Sequence, residues 1–445
     1  MDYIPVTEEQ KKEMLKAIKV NSIKDLFKDI PENLLIKELN LDKGLSEKEL
    51  IKVVSGLSKK NANSNDYSYF LGAGTYNHFI PSAVSHLAFR SEFYTAYTPY
   101  QPEVSQGNLQ VIYEWQSFIA ELTGQDIANA SVYDGATATA DAMVMAKIIS
   151  KRNKVLIAKS LNPEYKKVLK TYAKANDLEI KELGFESNGL ISIKELKENL
   201  NEETACVILQ NPNFFGLIED LNLIKLIQEK NVLVIVSVAE PVSLGLIKSP
   251  GEFNADFVVG EGQSFGVPMS FGGPGAGFFA VKQKHIRFIP GRLSGKTTDS
   301  EGKTGFILTL QAREQHIRRE KAISNICTNQ GLIAVMATIH LALLGKNGLK
   351  ELAELNLQKA HYAAEKIKEI DGFELIFNAL FFNEFAVKTP NIEKVKEKLL
   401  QEKIVAGFDL GKEFKELKNC MLFCVTEMNS KKEIDKLVGV LKEIK

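Results

Sequence analysis

The sequence is poor in the features that mark several specialised classes of protein. Lys and Arg together number 56 and Asp and Glu number 56, so no net charge draws the chain to nucleic acid. The four cysteines form no Cys-x-x-Cys pair and stand at no metal-ligand spacing with histidine, which argues against a metal site. Cys420 and Cys424 lie in an apolar stretch, which predicts buried, reduced thiols.

Long hydrophobic runs are also lacking. The most apolar stretch, residues 232–247, is interrupted by Glu240 and Pro241 and is too short to span a bilayer. No basic segment precedes an apolar one after Met1, so no secretory signal is visible. With 44% hydrophobic and 25% charged residues, the chain has the composition of a soluble globular protein, which we expect in the reducing cytoplasm.

Turn signals and changes of hydrophobic period divide the chain into three predicted parts. Residues 1–65 read as a helical N-terminal arm, which packs on the body or on a partner and ends in a polar run. Residues 66–330 alternate strand-like and helical patterns, which predicts a large α/β domain. Residues 331–445 begin with an apolar helix and alternate again, which predicts a small C-terminal α/β domain.

The predicted strands are short and apolar. Because helical patterns separate those of the large domain, we expect them to pair in parallel and to bind ligands at their carboxyl ends. The predicted strands are 154–158, 178–182, 205–210, 232–238, 257–260 and 278–281 in the large domain, and 374–377, 384–387 and 421–425 in the small one.

The order of elements in the large domain is similar to that of fold-type I pyridoxal-phosphate enzymes. These enzymes need a helix N-terminus for the phosphate, an aspartate for the pyridinium nitrogen and a lysine for the Schiff base. Asp134, Gly135 and Thr137 stand where the phosphate loop would be, since small residues admit an anion and Thr137 offers a hydroxyl. Asp134 also puts a carboxylate at that helix end, so a capped helix without a ligand is an equal alternative.

The other two requirements of a fold-type I site are not met. By pattern, Ser237 occupies the place of the ring-pairing aspartate, and a serine hydroxyl cannot keep the pyridine nitrogen protonated. No lysine lies between Ser249 and Val281, where the Schiff-base lysine would stand. A scaffold of this kind without its nucleophile is either inactive or one half of a shared site.

The segment 94–107 favours a shared site, because it combines tyrosines, prolines, amides and a carboxylate. Tyr97, Tyr100 and Glu103 are the candidate catalytic groups. The prolines lower the entropy lost when the loop is ordered, although a rigid surface turn would show the same pattern. Further candidates for substrate or interface contacts in this segment are Thr98, Gln101, Ser105 and Gln106.

A second polar segment, residues 291–330, carries arginines suited to carboxylates or phosphates. Glu314 and Arg318 are four residues apart, so the charges are also explained by a solvated helix face. That explanation does not cover the uncharged run 324–330. We take Arg318, Asn325, Thr328 and Asn329 as candidates for substrate or interface contacts.

Five segments together make the sequence recognisable: 70–74, 97–103, 133–137, 260–263 and 313–330. Their order and spacing resemble those of the first subunit of two-subunit glycine decarboxylases, the P-proteins of the glycine cleavage system. The resemblance covers essentially the whole chain. It implies a fold-type I pyridoxal-phosphate transferase-like large domain, with a helical arm and a small α/β C-terminal domain.

The resemblance also implies partners and a reaction. Two homologous subunits would form a heterotetramer, in which the second subunit holds pyridoxal phosphate on its lysine and this chain holds none covalently. Glycine would lose carbon dioxide, and its aminomethyl group would pass to the lipoyl arm of the H-protein. The missing lysine and the serine at position 237 are then what a first subunit should show.

Two other functions remain open at the level of sequence. An independent pyridoxal-phosphate enzyme, such as an aminotransferase or lyase, is disfavoured by the absent lysine. A non-catalytic scaffold or regulator descended from such an enzyme is disfavoured by the chemically rich segment 97–107. Copurification with a homologous chain that contains the lysine would separate these alternatives from a split decarboxylase.

Overall fold

The computed structural model describes residues 6–36 and 38–444. Contacts divide the chain into two compact units, Met1–Asn61 and Ala62–Lys445. The three-part division expected from the sequence, with boundaries after residues 65 and 330, stays a prediction.

The first unit consists of short helices that bury no residue of their own. Helix α1 is Glu8–Ala17 and helix α2 is Glu47–Ser58. Capping boxes begin both, formed by Thr7 with Gln10 and by Ser46 with Glu49. No residue of α1 or α2 is buried, so neither helix owes its stability to a core within this unit.

The second unit is built from helices and short strands that alternate along the chain. Its helices are α3 (Ser82–Ala88), α4 (Ser91–Tyr94), α5 (Gln106–Thr123), α6 (Gly135–Ser150), α7 (Pro163–Ala175), α8 (Ile193–Asn199), α9 (Leu223–Gln228), α10 (Gln315–Arg318), α11 (Gly331–Lys368), α12 (Ile392–Gln401) and α13 (Lys431–Lys442). Its strands are β1 (Ser68–Tyr69), β2 (Ile127–Ala128), β3 (Lys154–Ala158), β4 (Glu179–Leu183), β5 (Thr204–Gln210), β6 (Leu233–Val238), β7 (Phe257–Glu261), β8 (Gly277–Val281), β9 (Ser294–Thr298), β10 (Thr304–Leu308), β11 (Glu374–Leu375), β12 (Glu384–Lys388), β13 (Ile404–Val405), β14 (Phe408–Asp409) and β15 (Cys420–Cys424).

The large sheet has seven strands in the order β2-β8-β7-β6-β5-β3-β4. Strands β3 to β7 pair in parallel, as their intervening helices predict, and every residue of β5 is buried because helices cover both faces. Strand β8 is antiparallel to β7, which corrects the expectation of a wholly parallel set. The reason is the connection, since residues 262–276, all of them described, contain no helix to carry the chain back.

A hairpin, β9–β10, occupies part of the segment read as polar and then helical. Only the four residues of α10 are α-helical between this hairpin and α11 in the described chain. The predicted charged helix face near Arg318 is therefore much shorter than expected. Most of residues 309–330 is irregular backbone, held by the side-chain contacts of the site.

The small sheet is antiparallel, with the order β11-β12-β15-β14, and its core contains Cys420 and Cys424 as free, buried thiols, as predicted. Strand β1 pairs in parallel with β13, so the start of this unit is joined to its C-terminal part. The antiparallel arrangement buries one face against α11 and α13.

Helix α11 is 38 residues long and runs from the large sheet to the small one. Gly345 breaks it with a φ of +58°. By length and composition it could cross a membrane, with a window of mean hydropathy 1.5 of which 44% is buried. In this protein it packs on α3, α5 and α13, so it serves as a core helix of the described chain.

Candidate functional site

Helix α6 begins at the carboxyl edge of the large sheet, where enzymes of this fold hold the cofactor phosphate. Asp134 is its N-cap, and Asp134 Oδ1 accepts from Thr137 N at 2.7 Å and from Thr137 Oγ1 at 2.9 Å. This is the capped-helix alternative raised by the sequence. One carboxylate of the chain thus neutralises part of the positive helix end.

A second carboxylate, Glu261, completes the occupation of this helix end. Glu261 ends β7 and is buried, and its Oε2 accepts from Gly135 N at 3.0 Å. Its Oε1 accepts from Ala276 N at 2.7 Å and from Gln263 N at 3.0 Å. Burial raises the pKa of Glu261, while the three backbone N–H groups act in the opposite sense. The Glu261 carboxylate therefore occupies the N-terminus of α6 as an anion that the chain itself supplies.

Protein atoms also fill the space beside Gly135, at the N-terminus of α6. A Cβ on Gly135 would lie 2.1 Å from Tyr165 Oη, so only glycine fits there. Ser237 is fully buried, with its Oγ 3.2 Å from Thr139 Oγ1, which in turn donates to Gly135 O at 2.7 Å. The N–H and hydroxyl groups that a phosphate would need are therefore already hydrogen-bonded within the protein.

Pyridoxal phosphate therefore does not fit the residues of this chain. The phosphate position holds the carboxylates of Asp134 and Glu261, which would repel a dianion. The pyridine nitrogen would meet the Ser237 hydroxyl, and no lysine stands in the stretch 249–281. The N-terminus of α6 still favours an anion, and the carboxylates of Asp134 and Glu261 supply that negative charge.

A buried ionic network, which the sequence analysis did not single out, lies at the end of β6. His78 Nε2 is 3.0 Å from Glu240 Oε2, and His78 Nδ1 is 2.8 Å from Glu427 Oε2. Burial by itself would lower the pKa of His78, but the two carboxylates raise it to about 10. His78 is thus a charged residue that is hydrogen-bonded to two carboxylates.

A second buried carboxylate extends this network to the small sheet. Glu384 Oε2 accepts from Tyr76 Oη at 2.8 Å, and Glu384 Oε1 accepts from Ala73 N at 2.6 Å. Burial raises the pKa of Glu384 to about 7. Since Tyr76 N also donates to Gln263 Oε1 at 2.9 Å, the segment 70–79 is held by side chains of both sheets.

The predicted loop 97–107 is fixed at its base by three side chains. Thr98 Oγ1 lies 2.9 Å from Thr328 Oγ1, and Arg292 Nη2 donates to Tyr100 Oη at 3.1 Å. Gln106 binds both polar backbone groups of Phe306 at 2.8 Å. Ser105 is half-buried at the start of α5. These residues order the loop.

Other predicted residues of the two polar segments point outward. Tyr97 is 81% exposed, and Tyr100 is 48% exposed. Exposed with them are Gln101, Glu103, Arg318 and Asn325. Buried Asn329 instead donates to Ala130 O at 3.0 Å and to Ser131 Oγ at 3.1 Å, which gives it a packing role in the described chain.

The structure brings part of the predicted set together around one small cavity. Its volume is about 190 Å³, and it opens between the loop and the start of α11. Among the predicted residues it is lined by Tyr97, Thr98, Thr328 and Asn329. The predicted positions at α6, namely Asp134, Gly135, Thr137 and Ser237, do not line this cavity.

Comparisons with known proteins agree along the whole chain. A family model described as glycine cleavage system P-protein matches residues 1–441. A probable glycine dehydrogenase (decarboxylating) subunit 1 of Geobacillus sp. (strain WCH70) is 52% identical over 99% of this chain and 98% of that protein. A crystal structure of glycine decarboxylase (P-protein) of the glycine cleavage system, in inhibitor-bound form, matches with a TM-score of 0.90 at 41% identity and covers 100% of both chains.

More distant structures show the fold alone. Glutamate decarboxylase of Lactobacillus brevis matches with a TM-score of 0.71 at 12% identity, over 92% of this chain and 94% of its own. Such neighbours are pyridoxal-phosphate enzymes of fold type I, which confirms the fold class predicted from the sequence.

Proposed function

Because the chain belongs to the glycine cleavage system P-protein family, we propose that it is one half of a split glycine decarboxylase. It acts only in a complex with a homologous second subunit, which binds pyridoxal phosphate on a lysine. In that complex the bond between the α-carbon and the carboxylate of glycine breaks and releases carbon dioxide. The aminomethyl group then forms a bond to one sulfur of the lipoyl disulfide of the H-protein, and the other sulfur takes up a proton as a thiol.

The observation that carries this proposal is the internal occupation of the cofactor position. Glu261 and Asp134 fill the phosphate position, and no lysine stands between residues 249 and 281, so the chain lacks the groups for the reaction on its own. Relatives named as the first subunit match over nearly their full length. A cytoplasmic location is part of the same proposal.

The contribution of this chain to the shared site is the loop 97–107. Its base is fixed by Thr98, Tyr100 and Gln106, whereas Tyr97 and Glu103 are exposed. An ordered loop with exposed polar groups loses little entropy when it docks. We assign to it the lining of the second subunit's cofactor pocket, where hydroxyl and carboxylate groups orient glycine and move a proton.

Mixing the two chains tests the proposal. Each purified chain and their mixture are assayed for carbon dioxide release from glycine with lipoylated H-protein and pyridoxal phosphate. Only the mixture is expected to release carbon dioxide. Activity of this chain alone would overturn the proposal, and full activity of the lysine-bearing chain alone would favour the scaffold or regulator instead.

Borohydride reduction gives an independent readout of the cofactor assignment. Reduction of the isolated chain with pyridoxal phosphate should leave no lysine adduct at a stoichiometric site, since the stretch 249–281 has no lysine. The lysine-bearing chain, treated in the same way, is the positive control. A single stoichiometric adduct on this chain would contradict the assignment.

A further inference from the structure

Two arginines, the buried Arg292 and the half-buried Arg313, lie near the loop 97–107 and make few hydrogen bonds. Arg292 is 1% exposed, and only its Nη2 has a partner, Tyr100 Oη at 3.1 Å. Its Nε and Nη1 have no hydrogen-bond partner among the described residues. Arg313 donates through Nη1 to Ile289 O and Gly291 O, while its Nε and Nη2 also lack a hydrogen-bond partner there.

The charges around these arginines do not balance. Glu314 Oε2 lies 3.6 Å from Arg292 Nε, too far for a good hydrogen bond, and Glu314 Oε1 has no hydrogen-bond partner in the described chain. His316 Nδ1 lies 3.7 Å from the same carboxylate oxygen, which is also too far for a good hydrogen bond. Burial lowers the pKa of Arg313 to about 10, which reflects poor compensation of its charge. Buried guanidinium groups in native proteins normally find acceptors.

The cover over this cluster is made of side chains at the surface. The Arg292 guanidinium carbon lies 5.1 Å from the centroid of the Tyr100 ring, and the rings of Tyr100 and His316 meet edge to face at 5.8 Å. Both rings are partly exposed, whereas Arg292 is not. A group that displaces the Tyr100 ring therefore reaches the unpaired N–H groups directly from the loop surface.

We infer that Arg292 and Arg313 form a binding site for a carboxylate, which enters where the Tyr100 and His316 rings cover Arg292. The planar forks of the two guanidinium groups match the geometry of a carboxylate, and one such anion would balance the cluster. The carboxylate belongs either to the amino-acid substrate or to an acidic side chain of the second subunit. The inference rests on the proposed function only for naming these two sources.

Acetate serves as a probe of the site in the isolated full-length chain. The midpoint of thermal unfolding is expected to rise more in sodium acetate than in sodium chloride of equal ionic strength, because acetate binds only the folded site. The Arg313→Lys variant keeps the charge but loses the fork, so its apparent affinity for acetate should fall about tenfold. The Arg90→Lys variant is the matched control, since Arg90 is exposed and pairs with Glu92.

The two sources are separated in the assembled complex. If the carboxylate is that of the substrate, Arg313→Lys should raise the KM for glycine about tenfold and leave the dissociation constant of the subunits unchanged. If it belongs to the second subunit, the dissociation constant should rise about tenfold, and the KM at saturating partner should stay constant.

Two results would overturn the inference. One is a parental chain whose unfolding midpoint responds equally to acetate and chloride, and the other is an Arg313→Lys variant that matches the parent in acetate response, KM and subunit affinity. A parental complex that does not turn over glycine would refute the proposed function, yet the acetate response and the subunit affinity would still decide this site.

Discussion

Single residues decide what this chain does not do, and they differ in how far sequence reasoning could find them. The absence of the Schiff-base lysine can be recognised from the sequence, because its expected place lies within one segment, 249–281. The role of Glu261 is not visible, because it lies 126 residues from Gly135 and only the register of β7 and β8 brings them together. The same holds for the pair Arg292 and Arg313: the sequence analysis took the arginines of residues 291–330 as suited to carboxylates or phosphates but could not bring these two together.

Replacing Glu261 should show how much its carboxylate at the N-terminus of α6 contributes to the free energy of unfolding. In Glu261→Ala three buried N–H groups lose their acceptor, so the free energy of unfolding should fall by about 2 to 4 kcal/mol. Glu261→Gln keeps an acceptor and should cost less. Urea denaturation measures both, with Glu229→Ala, an exposed glutamate, as control. An alanine variant as stable as the parent would refute the anion-ligand role.

Single-atom changes in the loop test its catalytic role. Tyr97→Phe, Tyr100→Phe and Glu103→Gln should each leave the complex assembled with cofactor bound. Turnover of glycine should fall about tenfold or more, about 1.4 kcal/mol in the barrier. Tyr94→Phe, another exposed tyrosine beside the loop, is the matched control. Parental rates in all three variants would reduce the loop to an interface element.

At the scale of elements, periodicity predicted most of the large sheet. Strand β3 has the predicted bounds, and β3 to β7 pair in parallel, as the alternation of strands and helices predicts. The antiparallel β8 and the hairpin β9–β10 were missed, because chain direction depends on connections and the hairpin lacks a clean apolar alternation. Local signals identify elements, whereas pairing is a long-range property.

The segment 70–79 should give the protein a characteristic alkaline sensitivity. The pKa of His78 is about 10 in the folded chain and about 6.5 when unfolded, so its stabilising contribution is complete below pH 6.5. That contribution is lost progressively as the pH rises from about 6.5 to about 10, on the order of 1 kcal/mol per unit. The groups facing His78 are Glu240, Glu427 and, by charge, His340.

The measurement is urea denaturation of the parent and of His78→Gln at about pH 7 and 9. The parent should lose stability between these values, and the variant, already weaker, should lose much less. Glu384 has a pKa of about 7, so its titration adds to the loss of stability only near pH 7, at the lower end of the measured range. Equal slopes for both proteins would show that His78 is not charged in the folded state.

At the scale of the whole molecule, the proposed sharing of an active site with a second subunit implies a permanent partner. With the lysine-bearing chain, we expect a heterotetramer whose subunits each bury a large, mostly apolar surface, above about 2,000 Å² per interface. Analytical ultracentrifugation of the mixture and of each chain alone measures this. A monomer that persists in the presence of the partner would count decisively against a shared active site.

The strand β1 and the segment 70–79 pack against the C-terminal part of the chain, which is synthesised last. Ser68 Oγ donates to Glu433 Oε1 at 2.7 Å across 365 residues, and Phe70 O accepts from Cys424 N. A ribosome adds roughly 5 to 20 residues per second, so the segment emerges roughly 20 to 70 s before its last partner. During that interval Phe70 and Tyr76, both buried at the end, are open to water. The nascent chain therefore keeps these two side chains exposed until its synthesis is almost complete.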